Sequence, residues 1–223
     1  MNTTFQNQLL QQLDDLFPGQ IDIHQKIPKT YWNKAKDPKK VKAVYLGCDP
    51  TNKVKNIQFD YAFAHGSNNP GFKRFVILHT KQLEAIGLDW ESVYTQNLCQ
   101  NYFMEETSKN KIWKEAAIKV WIPVLKAELD NLFDSSISVL LTSQLLLDVL
   151  LNEDLLERNK RPTKYDAANF YKRETEIPVP ANQNKLERPL IPLYRGRNPK
   201  TGESYLLTNI SNADYAKLVT QLL

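Results

Sequence analysis

The sequence predicts a three-layer α/β/α domain built on a four-stranded, mainly parallel sheet, and three observations predict it. Four short apolar runs, at 41–46, 92–97, 137–141 and 190–194, have the length of buried strands. Between them lie longer stretches whose apolar residues recur at helical spacing. Strands and helices therefore alternate, the order that puts helices on both faces of a parallel sheet. Finally, the 223 residues, 42% apolar and 24% charged, show no break in composition, so 1–223 is expected to be one domain at the large end of the usual range.

Each element has its own signal. Phe5, Leu9, Leu13 and Leu16 share a helical face that Pro18-Gly19 closes. Residues 20–40 read as an irregular basic lead-in broken by Pro28 and Pro38. Val44-Tyr45-Leu46 is a strand core, ended by the turn formers Gly47, Pro50 and Asn52. A long loop, 52–70, leads to a helix expected over Phe72–Ile86 and closed by Gly87. After the second strand, Thr107–Phe133 reads as helix, with Pro123 expected to kink or split it. Ser143 is placed to cap a helix over Gln144–Arg158. Residues 159–188 are polar and basic and suit an edge hairpin. The fourth strand runs to Tyr194 despite Pro192. Ser211 or Asn212 caps a last helix that packs through Tyr215, Leu218, Val219 and Leu222.

Composition excludes several classes of protein. No apolar run approaches the roughly 18 residues of a membrane span. The first residues lack the basic start and continuous apolar core of a signal peptide, so a cytoplasmic location is expected. Two cysteines make no disulfide framework, and three scattered histidines make no metal-ligand pattern. The net charge is only +4 but unevenly placed. Nine lysines fall between Lys26 and Lys55, against Asp37 and Asp49. Further basic clusters lie at 158–173 and at Lys185, Arg188, Arg195, Arg197 and Lys200. Such clusters are either solvated faces or a surface for a phosphate backbone.

The stretch that ends the first strand carries the chemistry. Ligands bind outside the carboxyl ends of strands in open α/β sheets, so Asp49 stands at a crevice, and Pro50 keeps it extended. The strand ending Gly47-Cys48-Asp49-Pro50-Thr51 resembles the first motif of the uracil-DNA glycosylase superfamily, Gly-Gln-Asp-Pro-Tyr. That family has an Ala-Phe stacking segment one loop later, as at Ala62-Phe63, and a base-reading Asn at a strand end, as at Val93–Leu98 with Asn97. The resemblance covers residues 41–98 by motif and the remainder by element order.

The resemblance implies a cofactor-free monomeric hydrolase of DNA repair that excises a damaged or deaminated base, uracil-type, from single- or double-stranded DNA. It makes Asp49 the residue that orients water and offsets the sugar's positive charge. Phe63 would stack on the flipped base, Asn97 would read its imide edge, and Cys48, Thr51 and Asn52 would complete the base pocket. By themselves, Asp49 and Asn97 also suit plain strand-end turns, and Phe63 also suits a core position.

Departures from the family are specific. Its methyl-excluding Tyr is Thr51, the His that often follows is Asn52, and the His-Pro-Ser loop after the fourth strand is Arg195-Gly196-Arg197-Asn198-Pro199. Arg195 is taken as the group that meets the anionic base and Arg197 as a substrate contact, and either also suits a phosphate. The alternatives are a catalytically inactive nucleic-acid-binding relative of the same fold and an unrelated α/β enzyme acting on a free nucleotide or other small ligand. A nucleophilic Cys48 is disfavoured by the adjacent Asp49, which opposes thiolate formation.

Overall fold

A computed structural model describes residues 3–50, 57–152, 177–193, 196–197, 204–205 and 212–223. The strands β1 (Ala43–Gly47), β2 (Val93–Asn97), β3 (Ser138–Leu141) and β4 (Leu190–Pro192) form a four-stranded sheet in the order β2-β1-β3-β4. Every pairing in it is parallel, as the sequence predicts. All five residues of β1 are buried, which fits a central strand covered on both faces.

The register places Ala43, Tyr45 and Gly47 beside Val93, Thr95 and Asn97, so these side chains share one face. The chain opens with α1 (Thr3–Leu16), and that face is covered by α2 (Pro70–Glu84), where His79 and Gln82 meet the Tyr45 hydroxyl at 2.5 and 2.7 Å. The final helix, α6 (Asn212–Leu222), follows on through Thr220 Oγ1, which donates to Ile86 O at 3.2 Å. The opposite face carries Val44, Leu46, Tyr94 and Gln96. Here α4 (Ile122–Leu132) packs, with the Tyr94 hydroxyl donating to Glu128. The apolar side chains on both sides belong to one main buried cluster.

Pro192 fits β4 because of where the strand's donors point. Leu193 N donates inward to Leu141 O at 2.5 Å, whereas Leu190 N donates outward to Val179 O at 3.1 Å. Residue 192 lies in phase with 190, so its missing N–H faces the outer edge. At the other edge, Tyr31 pairs with Thr95 in both directions, at 3.1 and 2.8 Å. The lead-in thus covers β2 and shields its exposed backbone groups.

Four expectations are corrected. The helix expected from Thr107 begins at Trp113, because the Asn110 side chain accepts from Ile112 N and Trp113 N and caps it there. It runs as α3 (Trp113–Ala116), a π-helical turn (Ala117–Trp121) and α4. The wide turn lies just before Pro123, which has no N–H for the carbonyl of Lys119. The helix expected over Gln144–Arg158 is α5 (Gln144–Leu150), which ends when Leu151 turns extended and bridges to Asn184, and residues 153–158 lie outside the described residues. The fourth strand stops at Pro192, short of Tyr194. Of the edge hairpin expected over 159–188, residues 177–188 instead form a 3-10 turn (Ala181–Gln183) and isolated bridges, and 159–176 lie outside the described residues. A short antiparallel pair, β5 (Gly196–Arg197) with β6 (Ser204–Tyr205), follows β4 and was not expected.

The third basic cluster also divides. Arg188 is buried, 1% exposed, and its guanidinium donates to Asp134 O, to Phe133 O at 3.4 Å and to Asp130 Oδ1 at 2.8 Å. It closes the carbonyl end of α4, where a cation also meets the helix dipole favourably. Replacing Arg188 by Ala is expected to cost at least about 2 kcal/mol, since buried charge-assisted hydrogen bonds are lost together. Asp130→Asn removes only an exposed partner and should cost less than about 1 kcal/mol. Denaturant midpoints of the two variants check this; equal shifts would show that the carbonyl contacts carry no weight.

Candidate active site

The chain leaves β1 for β2 on one side of the sheet, then crosses to β3 on the other. Such a switch point opens a crevice at the strands' carboxyl ends. A cleft of about 440 Å³ lies there, lined from β1 by Gly47, Cys48, Asp49 and Pro50, from β2 by Asn97 and from the end of β3 by Thr142 and Ser143. Its volume lies within the roughly 300–1,000 Å³ usual for small-ligand sites. Phe59, Phe63, Phe72 and Phe75 supply an aromatic wall.

Asp49 is half-buried, and the Thr107 hydroxyl reaches both of its oxygens, at 2.9 and 2.7 Å. A hydroxyl has one proton, so it serves either oxygen in turn and fixes the plane of the carboxylate. Thr107 occupies this position because its segment is a turn, held by Lys109 N and Asn110 N donating to Glu106 O, and not the start of a helix. Nothing in the sequence links the two residues, which are 58 positions apart.

Phe63 is 6% exposed and sits in a 3-10 turn (Ala62–Ala64) with left-handed backbone, φ 58° and ψ 22°. Ala64 follows at φ 54°. Two consecutive non-glycine residues in this region cost about 1–3 kcal/mol each and persist only where surroundings over-determine them. The surroundings here are specific. Ala62 N donates to Lys29 O at 2.9 Å and His65 N to Ala62 O at 3.2 Å. The Phe63 ring packs on Tyr45 and His79, with centroids 5.0 and 4.8 Å away.

Gly47 explains the rest of the arrangement. A Cβ there would lie 2.7 and 2.8 Å from two ring atoms of Phe63, and closer still to Asn97 Oδ1. The two side chains therefore converge over bare backbone, and the glycine is required by that approach as well as by the turn. Asn97 is 4% exposed, its backbone N–H donating to Gln96 Oε1 at 2.9 Å. Its side-chain amide is engaged by no described residue and lines the cleft.

The structure thus brings Cys48, Asp49, Phe63 and Asn97 into one cleft. Thr51, Asn52 and Arg195 lie outside the described residues, and of Arg197 only the backbone, in β5, is described. Cys48 is half-buried and forms no disulfide, and its carbonyl accepts from Cys99 N at 2.9 Å. Burial, chiefly, and then nearby Asp49 and Cys48 push the Cys99 thiol well above its ordinary range. His79 lies behind Phe63 in the core, and His65 stacks on Tyr31 at 3.6 Å, where burial pushes its pKa below 6.5. Neither lines the cleft.

Sequence reasoning missed Thr107 and Thr142, and read Ser143 only as a helix cap. Ser143 does accept from Leu145 N at 3.3 Å, and Thr142 is tied by its hydroxyl to Leu46 O at 2.8 Å. Among the described residues, no group of three or more His, Cys, Asp or Glu is placed to hold a metal ion, and no helix is long and apolar enough to cross a membrane. Compared with known proteins, the chain matches no family model and no curated protein.

Two substitutions test this geometry. Gly47→Ala forces Phe63 or Asn97 away and is expected to cost about 1–3 kcal/mol, the usual range for overpacking. A change in unfolding free energy below about 0.5 kcal/mol, within the spread of neutral surface substitutions, would show that the approach is not tight. Thr107→Val keeps the shape but removes the hydroxyl that Asp49 accepts from, at a stability cost on the order of 1 kcal/mol, and Thr107→Ser should restore most of it. Equal denaturation midpoints for the Val and Ser variants would remove Thr107 from the site.

Proposed function

We propose that this protein is a DNA glycosylase-like hydrolase that cleaves the N-glycosidic bond of a damaged or deaminated, uracil-type base extruded from DNA. The observation that carries this reading is the convergence of Asp49, Phe63 and the unengaged amide of Asn97 in one cleft. An extruded pyrimidine needs a flat apolar surface, a donor and acceptor for its edge, and a carboxylate below the sugar. These three residues offer one of each.

In the proposed reaction, the C1′–N bond breaks as the base departs with the bonding electrons, leaving an oxocarbenium-like sugar. Asp49, held in plane by Thr107, offsets that positive charge and orients a water molecule. The water oxygen bonds to C1′ and its surplus proton passes to Asp49 or to solvent. The Asn97 amide donates to the base carbonyl on which negative charge gathers and accepts from the imide N–H. Arg195 or Arg197, in the segment that follows β4, is proposed to offer a permanent positive charge to the departing base, in the place where the family has a histidine. Thr51 and Asn52 are proposed to border the base, and the wider activity is proposed to be cytoplasmic base-excision repair by a monomer without a cofactor.

One observation favours a second reading, a binding protein of the same fold without turnover: neither His65 nor His79 lines the cleft. Incubation with uracil-, hypoxanthine- and alkylated-base oligonucleotides, followed by alkaline cleavage, separates the two. On the glycosylase reading, Asp49→Asn slows base release by about two orders of magnitude or more, as loss of a transition-state electrostatic contact does, while DNA affinity holds or rises. Equal rates for variant and wild type would refute the role of Asp49. No release by the wild type from any of these substrates supports the binding protein.

A further inference from the structure

On the opposite face of β2 lies a second and larger cleft, about 1150 Å³ in volume, between the lead-in and α4. Its lining differs from that of the Asp49 cleft. Tyr31, Trp32 and Tyr61 present half-buried aromatic rings, and Lys29, Lys34 and Lys36 are exposed around them. None of these lysines forms an ion pair with a described acid. Glu128 is the single acid among the described lining residues, its two oxygens accepting from the Tyr94 hydroxyl at 2.5 Å and Gln100 Nε2 at 3.2 Å, and beside the cleft Glu91 accepts from the Tyr31 hydroxyl at 2.7 Å and from Lys34 N at 3.0 Å. Gln96 is likewise engaged, donating to Thr30 Oγ1 at 2.6 Å.

This composition narrows the ligand. The cleft exceeds the roughly 300–1,000 Å³ of small-molecule sites. Phe5, Val124, Ala127 and Leu132 add apolar surface, but the lead-in side combines aromatic rings with three exposed lysines, a pairing that the apolar stripe of an amphipathic helix does not match. A single nucleic-acid strand needs what is present: rings on which bases stack, and cations spaced along the backbone. The position agrees. Tyr61 and Gln96 line this cleft, while Phe63 and Asn97, their near neighbours on the same two segments, line the other.

We infer that this second cleft binds single-stranded nucleic acid, its bases stacking on Trp32 and Tyr61 beside Tyr31, one face of which His65 covers, and its phosphates meeting Lys29, Lys34 and Lys36. The inference rests on the nucleic-acid reading of the Asp49 cleft and deepens it, from DNA of either form to a strand held single beside the site.

The test is a fluorescence titration of the full chain with a short, undamaged single-stranded DNA, run alongside base-release assays on a damaged duplex. Trp113 and Trp121 are buried and the half-buried Trp90 does not line the cleft, so stacking on Trp32 should quench tryptophan emission, and Trp32→Phe should remove most of that quench. The triple variant Lys29→Glu, Lys34→Glu, Lys36→Glu alters exposed residues only. It should bind at least about ten-fold more weakly and lower the slope of log affinity against log salt by about 2, since each phosphate that is no longer neutralised takes away roughly 0.7. No binding of the undamaged strand by the wild type, or binding by the triple variant within about two-fold of it, overturns the inference. Base release from duplex by a wild type that ignores single strands overturns the groove and leaves the glycosylase reading standing. Lysine-dependent binding without any base release does the reverse.

Discussion

A methyl group at residue 47 has no room, and much of the candidate site follows from that. Gly47 is in register with Asn97 at the carboxyl end of the central strand, and the Phe63 ring comes down on the same bare backbone. The missing Cβ leaves room for the amide and the ring to meet over the same stretch of main chain. It also explains the left-handed conformations of Phe63 and Ala64, since an ordinary turn would carry the ring elsewhere. Strain of this kind survives when the surroundings dictate it. Here they do so twice, through hydrogen bonds to the lead-in and through aromatic packing on Tyr45 and His79.

The irregular passage from residue 105 to 122 has a comparable role on the other side of the cleft. Asn110 delays the helix to Trp113, and the preceding turn frees Thr107 to hold Asp49. The π-helical turn then accommodates Pro123, and Trp121 is secured at its end by donating from Nε1 to Asn101 Oδ1 at 2.7 Å. Local breaks in regular structure sit on both sides of the same carboxylate, and each has a named residue as its cause.

Burial, not sequence proximity, sorts the basic residues. Arg188 and Lys185 belong to one charge run, yet one closes the end of α4 and the other donates from its ammonium group to Leu151 O. Lys29, Lys34 and Lys36 look no different in sequence, but the pairing of Tyr31 with Thr95 anchors their segment to the sheet edge and leaves them exposed around an aromatic groove. A charge count treats all of these alike.

The sequence by itself determined the sheet and most of its boundaries, because short buried runs and helical periodicity are local signals read over a few residues. It also singled out Asp49 by its strand-end position, whereas Phe63 and Asn97 were picked out only by the resemblance of their short motifs to those of a known family. It overran α5, whose leucine pattern continues where Leu151 leaves the helix to bridge to Asn184. It missed the hold of Thr107 on Asp49, the reason Gly47 must be glycine, and the groove beside the lead-in. These are contacts between residues far apart in the chain, and no local pattern encodes them; they exist only once the parallel sheet has brought its strand ends together.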